Sequence, residues 1–155
     1  MNGKEISIDM KIGFAGDHAG FLLAAPIKDF LERRDIEMVN YGTFGPDSVD
    51  YPDFAHRLGE AIDKGEVDIA IAACGTGNGM AMCLNKHAAV RAGIAWNREI
   101  AKLCKEHNDA NVLVLSQRFV SVEENLACVR EWLDAEFVGG RHARRVAKIP
   151  YVPQK

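Results

Sequence analysis

This 155-residue chain has no strong charge of either sign, no membrane-length apolar run and no paired-cysteine motif, and each lack removes a class of function. The formal net charge is −3, from 19 Lys and Arg against 22 Asp and Glu. Nothing therefore draws the whole chain to a nucleic-acid backbone, no nucleic-acid partner is expected, and any anion must be met by a local basic cluster. No stretch approaches the roughly 20 apolar residues that cross a bilayer, and the N-terminal residues lack the apolar centre of a signal peptide. No membrane partner and a cytoplasmic location are expected. Only four cysteines occur, Cys74, Cys83, Cys104 and Cys128, and none has C-x-x-C spacing, which argues against a disulfide framework or a zinc site. The five histidines do not fall at metal-ligand spacings either, so no metal and no cofactor is expected. Internal repeats, low-complexity tracts and linkers are also missing. One domain over residues 10–150 is expected, with residues 1–9 read as a flexible extension.

What is present is an ordinary globular mixture, 48% hydrophobic and 26% charged. Short apolar stretches alternate with helical stripes. Lys11–Ala15 reads as a first strand, and Phe21–Arg34 as a helix with apolar residues at 23, 27, 30 and 31 and with Pro26 tolerable only near its first turn. Glu37–Tyr41 reads as a second strand. Gly42–Asp53 carries Gly45-Pro46 and Asp50-Tyr51-Pro52-Asp53 and reads as a binding loop. A helix with Ala55, Leu58 and Ile62 on one side follows, then strands at Val67–Ala73, Ala89–Ala95 and Val112–Leu115. Asn97 is expected to cap the helix before the last strand, and Ser121 the helix after it, with Glu124 as a capping-box acid. Strands and helices in this order predict an α/β, doubly wound (Rossmann-like) five-stranded parallel sheet with helices on both faces and a basic C-terminal arm.

Ligands in such sheets gather at the carboxyl ends of the strands. The stretch Cys74-Gly75-Thr76-Gly77-Asn78-Gly79 follows the third strand and opens a helix. Its glycines leave the backbone N–H groups accessible to a negative oxygen, and a thiol at a helix N-terminus is favoured as thiolate, its reactive form. The loop fails the nucleotide templates: a Walker loop needs a terminal Gly-Lys, and G-x-G-x-x-G needs glycine where Met80 stands. A cysteine-phosphatase loop also needs arginine at that position. A tight strand-to-helix turn around a buried cysteine remains the plain alternative.

Asp17-His18 and Arg118 also follow predicted strands, whereas His107-Asn108-Asp109 precedes one. Asp17 could equally be a helix cap and His107-Asn108-Asp109 a helix stop, although histidine suits proton transfer near neutral pH. His56 and His87 have no charged or ligating company in the sequence and read as structural or solvated. Cys83, Cys104 and Cys128 read as small core residues. In the tail, Arg141 and Arg145 lie about one helical turn apart and could grip a phosphate together, or simply form a solvated face.

Six separated motifs, in matching order from about Met10 to Lys148, give the chain its resemblance. Gly16-Asp17-His18-Ala19-Gly20-Phe21, Asp50-Tyr51-Pro52, Cys74 to Gly79, Asn85-Lys86 with Arg91, His107-Asn108-Asp109-Ala110-Asn111-Val112-Leu113 and Gly139-Gly140-Arg141-His142 together resemble the B-type ribose-5-phosphate isomerases and the galactose-6-phosphate isomerase subunits. The resemblance implies metal-free aldose–ketose isomerisation of a phosphorylated sugar, ribose 5-phosphate to ribulose 5-phosphate, through an enediolate. It implies Cys74 as base, Thr76 as hydrogen-bond donor, the backbone of Gly75, Gly77, Asn78 and Gly79 as anion hole, and His107 with Asp17 in ring opening, while Asn108 holds a hydroxyl. His18, Arg118, Arg141 and Arg145 would hold the phosphate, with Tyr51 and His142 nearby. It further implies a homodimer with shared active sites, or a tetramer. Asn78, Arg144, Ala24 and Pro26 depart from the pattern and leave a tetrose or hexose phosphate open as substrate. A phospho-sugar binding module without turnover and a cysteine-nucleophile hydrolase stand as alternatives. The presence of Cys74, Thr76 and His107 together disfavours the first, and the lack of an acyl-transfer motif the second.

Overall fold

Side chains alternate across a strand, and in this chain the alternation is apolar on both sides, as a sheet covered on both faces requires. The structure, a computed structural model, describes residues 10–154; the extension expected over residues 1–9 lies outside them. Strands β1 (Lys11–Gly16), β2 (Glu37–Asn40), β3 (Ile69–Cys74), β4 (Ala92–Ala95) and β5 (Val112–Ser116) form one parallel sheet in the order β2-β1-β3-β5-β4. Ile12, Phe14, Ile71, Ala73, Leu113 and Leu115 face one side. There they pack against Ile27 and Leu31 of α1 (Ala24–Glu32), Ala101 and Cys104 of α4 (Arg98–Glu106), and Cys128, Val129 and Trp132 of α5 (Val122–Asp134). Ala15, Ala70, Ala72, Cys74, Val112 and Val114 face the other, against α2 (Tyr51–Asp63) and α3 (Asn78–Leu84). The doubly wound α/β expectation holds.

Local chemistry explains most element ends. Asn97 accepts the Ile100 N–H at 2.9 Å and Ser121 accepts the Glu124 N–H at 3.1 Å, so both expected caps form. The capping box does not close: the Glu124 carboxylate turns instead to the Arg98 N–H and guanidinium, tying the start of α4 to α5. Pro26 sits in the first turn of α1, where a missing N–H costs nothing, and a short 3-10 turn over Gly20–Leu23 precedes it where a continuous helix from Phe21 is expected. The expected loop to Asp53 ends earlier, because Pro52 suits a helix's first turn and α2 begins at Tyr51. The third and fourth strands begin at Ile69 and Ala92, two and three residues later than the apolar runs suggest. Before β4, Asn85 exchanges two hydrogen bonds with the Ala92 backbone and Asn111 holds the Arg91 and Ala89 backbone, so side chains occupy the backbone that would have paired. The basic tail contains a helix, α6 (Arg141–Ala147), none of whose residues is buried. No helix among the described residues is long and apolar enough to cross a membrane.

Candidate active site

The connections of β1 and β3 leave on opposite faces of the sheet, which opens a crevice between their carboxyl ends. Cys74 ends β3 at the mouth of that crevice, only 5% exposed, and its Sγ accepts the Gly77 N–H at 3.1 Å. Gly77 has φ 91, a left-handed value that admits glycine readily and turns the chain sharply into α3. The Asn78 N–H goes to Thr76 Oγ1 at 3.2 Å. Two of the N–H groups expected in the anion hole, those of Gly77 and Asn78, thus have partners within the loop. The Tyr51 ring, at the first turn of α2, lies over the loop so closely that a Cβ on Gly79 would stand 2.6 Å from it.

Asp17 and His18 follow β1 on the same edge. Asp17 is 8% exposed, and its Oδ1 accepts the Ala19 and Gly20 N–H groups at 3.0 and 2.9 Å, so this carboxylate does cap the turn that follows. His18 Nδ1 accepts the Val49 N–H at 3.3 Å, joining the β1 turn to the loop before α2. Arg118 is exposed beyond β5, and its N–H donates to the Gly75 carbonyl at 3.1 Å. Asp17, His18, Tyr51, the glycine loop and Arg118 therefore share the carboxyl edge of the sheet.

The remaining residues expected in the site lie at the opposite edge. His107 caps the end of α4, which runs back along the sheet, and β5 begins only at Val112. β5 pairs in parallel with β3 from Ala70↔Val112 to Cys74↔Ser116, so His107 lies beyond the amino ends of the strands. At about 3.3 Å per residue, five strand residues put roughly 15 Å between the two edges. The His107 turn is held firmly: Trp132, fully buried, donates Nε1–H to the Ala110 carbonyl at 3.0 Å, and Arg91 Nε–H donates to the Asp109 carbonyl at 2.9 Å. The arm is drawn to it by the Val138 N–H, which donates to the Glu106 carbonyl at 3.0 Å. The His142 ring stacks on His107, with centroids 4.3 Å apart and planes 6° from parallel. His107, Asn108, His142, Arg145, Val146 and Ile149 line a cleft of about 310 Å³. Desolvation, then the His107 ring and the Arg141 and Arg145 guanidinium groups, hold the His142 pKa below the usual imidazole value, which leaves that ring neutral at pH 7.

One cluster was invisible in the sequence. His56 and His87, read as solitary, are partners: His56 Nδ1 lies 2.8 Å from His87 Nε2, and His87 Nδ1 lies 2.9 Å from Asp63 Oδ2. Asp63 Oδ1 also accepts the Ala89 N–H at 2.9 Å. That bond, then the His87 hydrogen bond, lowers the Asp63 pKa. The residues come from α2 and from the turn after α3, and no spacing along the chain links them. The core reading of the other thiols is right for Cys104 and Cys128, which burial pushes up to about 11 and about 12, while Cys83 is only half-buried. No group of three or more His, Cys, Asp or Glu among the described residues could hold a metal ion.

A thiol on a glycine loop at the switch point of a doubly wound sheet, with histidines and arginines beyond, defines an α/β enzyme of small anionic substrates. Residues 12–149 match the family model described as Ribose/Galactose Isomerase. Ribose-5-phosphate isomerase B of Escherichia coli is 39% identical over 145 residues, covering 94% of this chain and 97% of that protein. The solved structure of Clostridium thermocellum ribose-5-phosphate isomerase B superposes with TM-score 0.88 at 48% identity, covering 90% and 95% of the two chains. That of the Mycoplasma genitalium ribose-5-phosphate isomerase B, with bound ribulose-5-phosphate, gives 0.87 at 39% identity, covering 91% and 94%. The chain belongs to the ribose/galactose isomerase family, and it is an aldose–ketose isomerase of sugar phosphates.

Proposed function

We propose that the enzyme interconverts ribose 5-phosphate and ribulose 5-phosphate with Cys74 as the proton-transfer base, in a site that a second copy of the chain completes. The observation that carries the assignment of the base is Cys74 Sγ, at the carboxyl end of β3, receiving the Gly77 N–H at the threshold of the glycine loop. The ligand of the Mycoplasma genitalium relative supports the choice of sugar. A pair of like chains supplies what one lacks: the carboxyl edge holds Cys74, Thr76, Asp17, His18, Tyr51 and Arg118, and a symmetric neighbour would bring its own His107, Asn108, Arg141, His142 and Arg145 across to it.

In the mechanism, His107, aided by Asp17, takes the proton from the anomeric hydroxyl as the C1–O4 bond breaks and O4 is protonated, giving the open aldehyde. The Cys74 thiolate then removes the proton from C2. The C–H electron pair becomes the C1=C2 bond, and the carbonyl pair moves to O1 as an enediolate. A carbon acid of this kind is far weaker than a thiol, so donors aimed at the developing oxyanion must supply several kcal/mol. Thr76 and the free N–H groups of the loop serve there. The thiol returns its proton to C1 while the O2 proton passes to O1, leaving the ketose. Arg118, Arg141, Arg145 and His18 hold the phosphate, with Tyr51 and His142 beside it, and Asn108 holds a hydroxyl; this distant grip orients C1 and C2 against the thiol.

The reaction so written needs no group beyond these residues, so activity should persist after dialysis against chelator, and loss of all turnover would overturn that point. Four free thiols suit a reducing, cytoplasmic setting. The test of the base is isomerisation in D₂O. The wild type should deliver solvent deuterium to the carbon framework, and Cys74→Ala should lose turnover and exchange by about 10³-fold while still binding sugar phosphate. Full activity in that variant would remove Cys74 from its role.

A further inference from the structure

The glycine loop is anchored by hydrogen bonds from the end of β5. The Gly75 carbonyl accepts two hydrogen bonds from the β5 side, from Ser116 Oγ–H at 2.8 Å and from the Arg118 N–H at 3.1 Å. One residue earlier, the Cys74 carbonyl accepts the Gln117 N–H at 2.9 Å. A peptide unit is planar and trans, so anchoring the Gly75 carbonyl toward β5 directs the Thr76 N–H away from it. That N–H has no partner among the described residues.

Ser116 has no freedom to do otherwise. It is 4% exposed, and its oxygen accepts the Phe119 N–H at 3.2 Å while its single proton goes to Gly75. Behind it stands Asn125 of α5, fully buried, whose Nδ2 donates to the Ser116 carbonyl at 3.0 Å and to the Val120 carbonyl at 3.4 Å. Both partners are acceptors, so the amide can face β5 only with its nitrogen. Its Oδ1 is left without a partner among the described residues.

We propose that Ser116 and Asn125 are positioning residues for the isomerisation: they hold the Gly75–Thr76 peptide so that the Thr76 N–H meets the developing enediolate oxygen. This rests on the isomerase reading above. Such a donor acts on the charged intermediate and hardly on the neutral substrate, so the effect belongs in kcat rather than KM.

The experiment compares Ser116→Ala, Ser116→Thr and Asn125→Leu with the wild type. It measures kcat and KM on ribose 5-phosphate, and the binding of two probes. One is a phosphorylated hydroxamate, planar and anionic like the enediolate; the other is the matching alditol phosphate, which carries the phosphate but no such charge. Ser116→Ala should lower kcat by about 10- to 100-fold with KM within about twofold, and weaken the hydroxamate by a similar factor while sparing the alditol phosphate. Ser116→Thr, which keeps the hydroxyl, should recover most of kcat. Asn125→Leu, which also takes the donor from the Ser116 and Val120 carbonyls and so lowers the thermal midpoint, should lower kcat by about fivefold at a temperature where circular dichroism shows the variant fully folded. Wild-type kcat in Ser116→Ala, or equal weakening of both probes, overturns the positioning role. If the wild type itself turns over no sugar phosphate, the isomerase reading falls and the positioning role falls with it.

Discussion

The two edges of the sheet carry similar residue types held in different ways. At the carboxyl edge, Cys74 and Asp17 are almost enclosed, and they and the more open glycine loop are fixed by backbone hydrogen bonds from the end of β5 and from the turns that follow β1 and β3. At the amino edge, Arg141, Arg145 and Asn108 stand exposed, and α6 contributes nothing to the core. Groups held by backbone hydrogen bonds are preorganised dipoles, whereas exposed guanidinium groups can reach an anion that arrives from solvent. In the function proposed above, neither edge is a whole site by itself.

Cys74→Ala and His107→Ala should each lower kcat by about 10³-fold as pure proteins. Mixed under conditions that exchange subunits, they should regain about a quarter of wild-type activity, because half the dimers would carry one intact site of two. No recovery on mixing, with exchange verified by mass, would show that both edges act within one chain. Next, Arg145→Ala removes a charged contact worth about 1.5–3 kcal/mol, so KM for the phosphorylated sugar should rise roughly 10- to 100-fold with kcat less affected. Equal effects on a phosphate-free sugar would deny the arm its phosphate role.

His87→Ala sharpens the contrast from a third place. His87 is linked to Asp63 and His56 but lies at neither edge's chemistry, so urea unfolding should report about 1–2 kcal/mol of lost stability while kcat/KM stays at the wild-type value. Because the Asp63 carboxyl is held below its usual range, its stabilisation is present at neutral pH and fades as pH falls through that lowered value. The smallest effect concerns His142. Its lowered pKa means that the unfolded chain takes up a proton near pH 6.5 before the folded one does, so this group costs stability progressively as pH falls below that value. An NMR titration should place the His142 midpoint below 6.5, and Arg145→Ala should move it slightly upward.

Much of the carboxyl edge was legible because its logic is local. The apolar run before Cys74, the alternating glycines and the caps at Asn97 and Ser121 involve neighbours within a few residues, where period and turn chemistry act directly. The strand starts at Ile69 and Ala92 were less legible, since Asn85 and Asn111 claim the backbone ahead of β4 from a distance. Glu124 shows the same competition: its spacing from Ser121 suits a capping box, yet the Arg98 guanidinium offers a charged partner that a backbone N–H cannot match.

Sequence alone determined the class of sheet, the placing of a thiol and glycines at the end of a buried strand, and the family, because these depend on residue order and short-range periodicity. Tertiary structure decided which side chains meet. Only packing brings His142 onto His107, His87 between His56 and Asp63, and Asn125 behind Ser116 and the glycine loop. Only the parallel pairing of β3 with β5 sets Cys74 and His107 at opposite edges. Contacts between distant segments depend on how helices cross the sheet, and that geometry comes from burying two apolar faces at once rather than from any local signal.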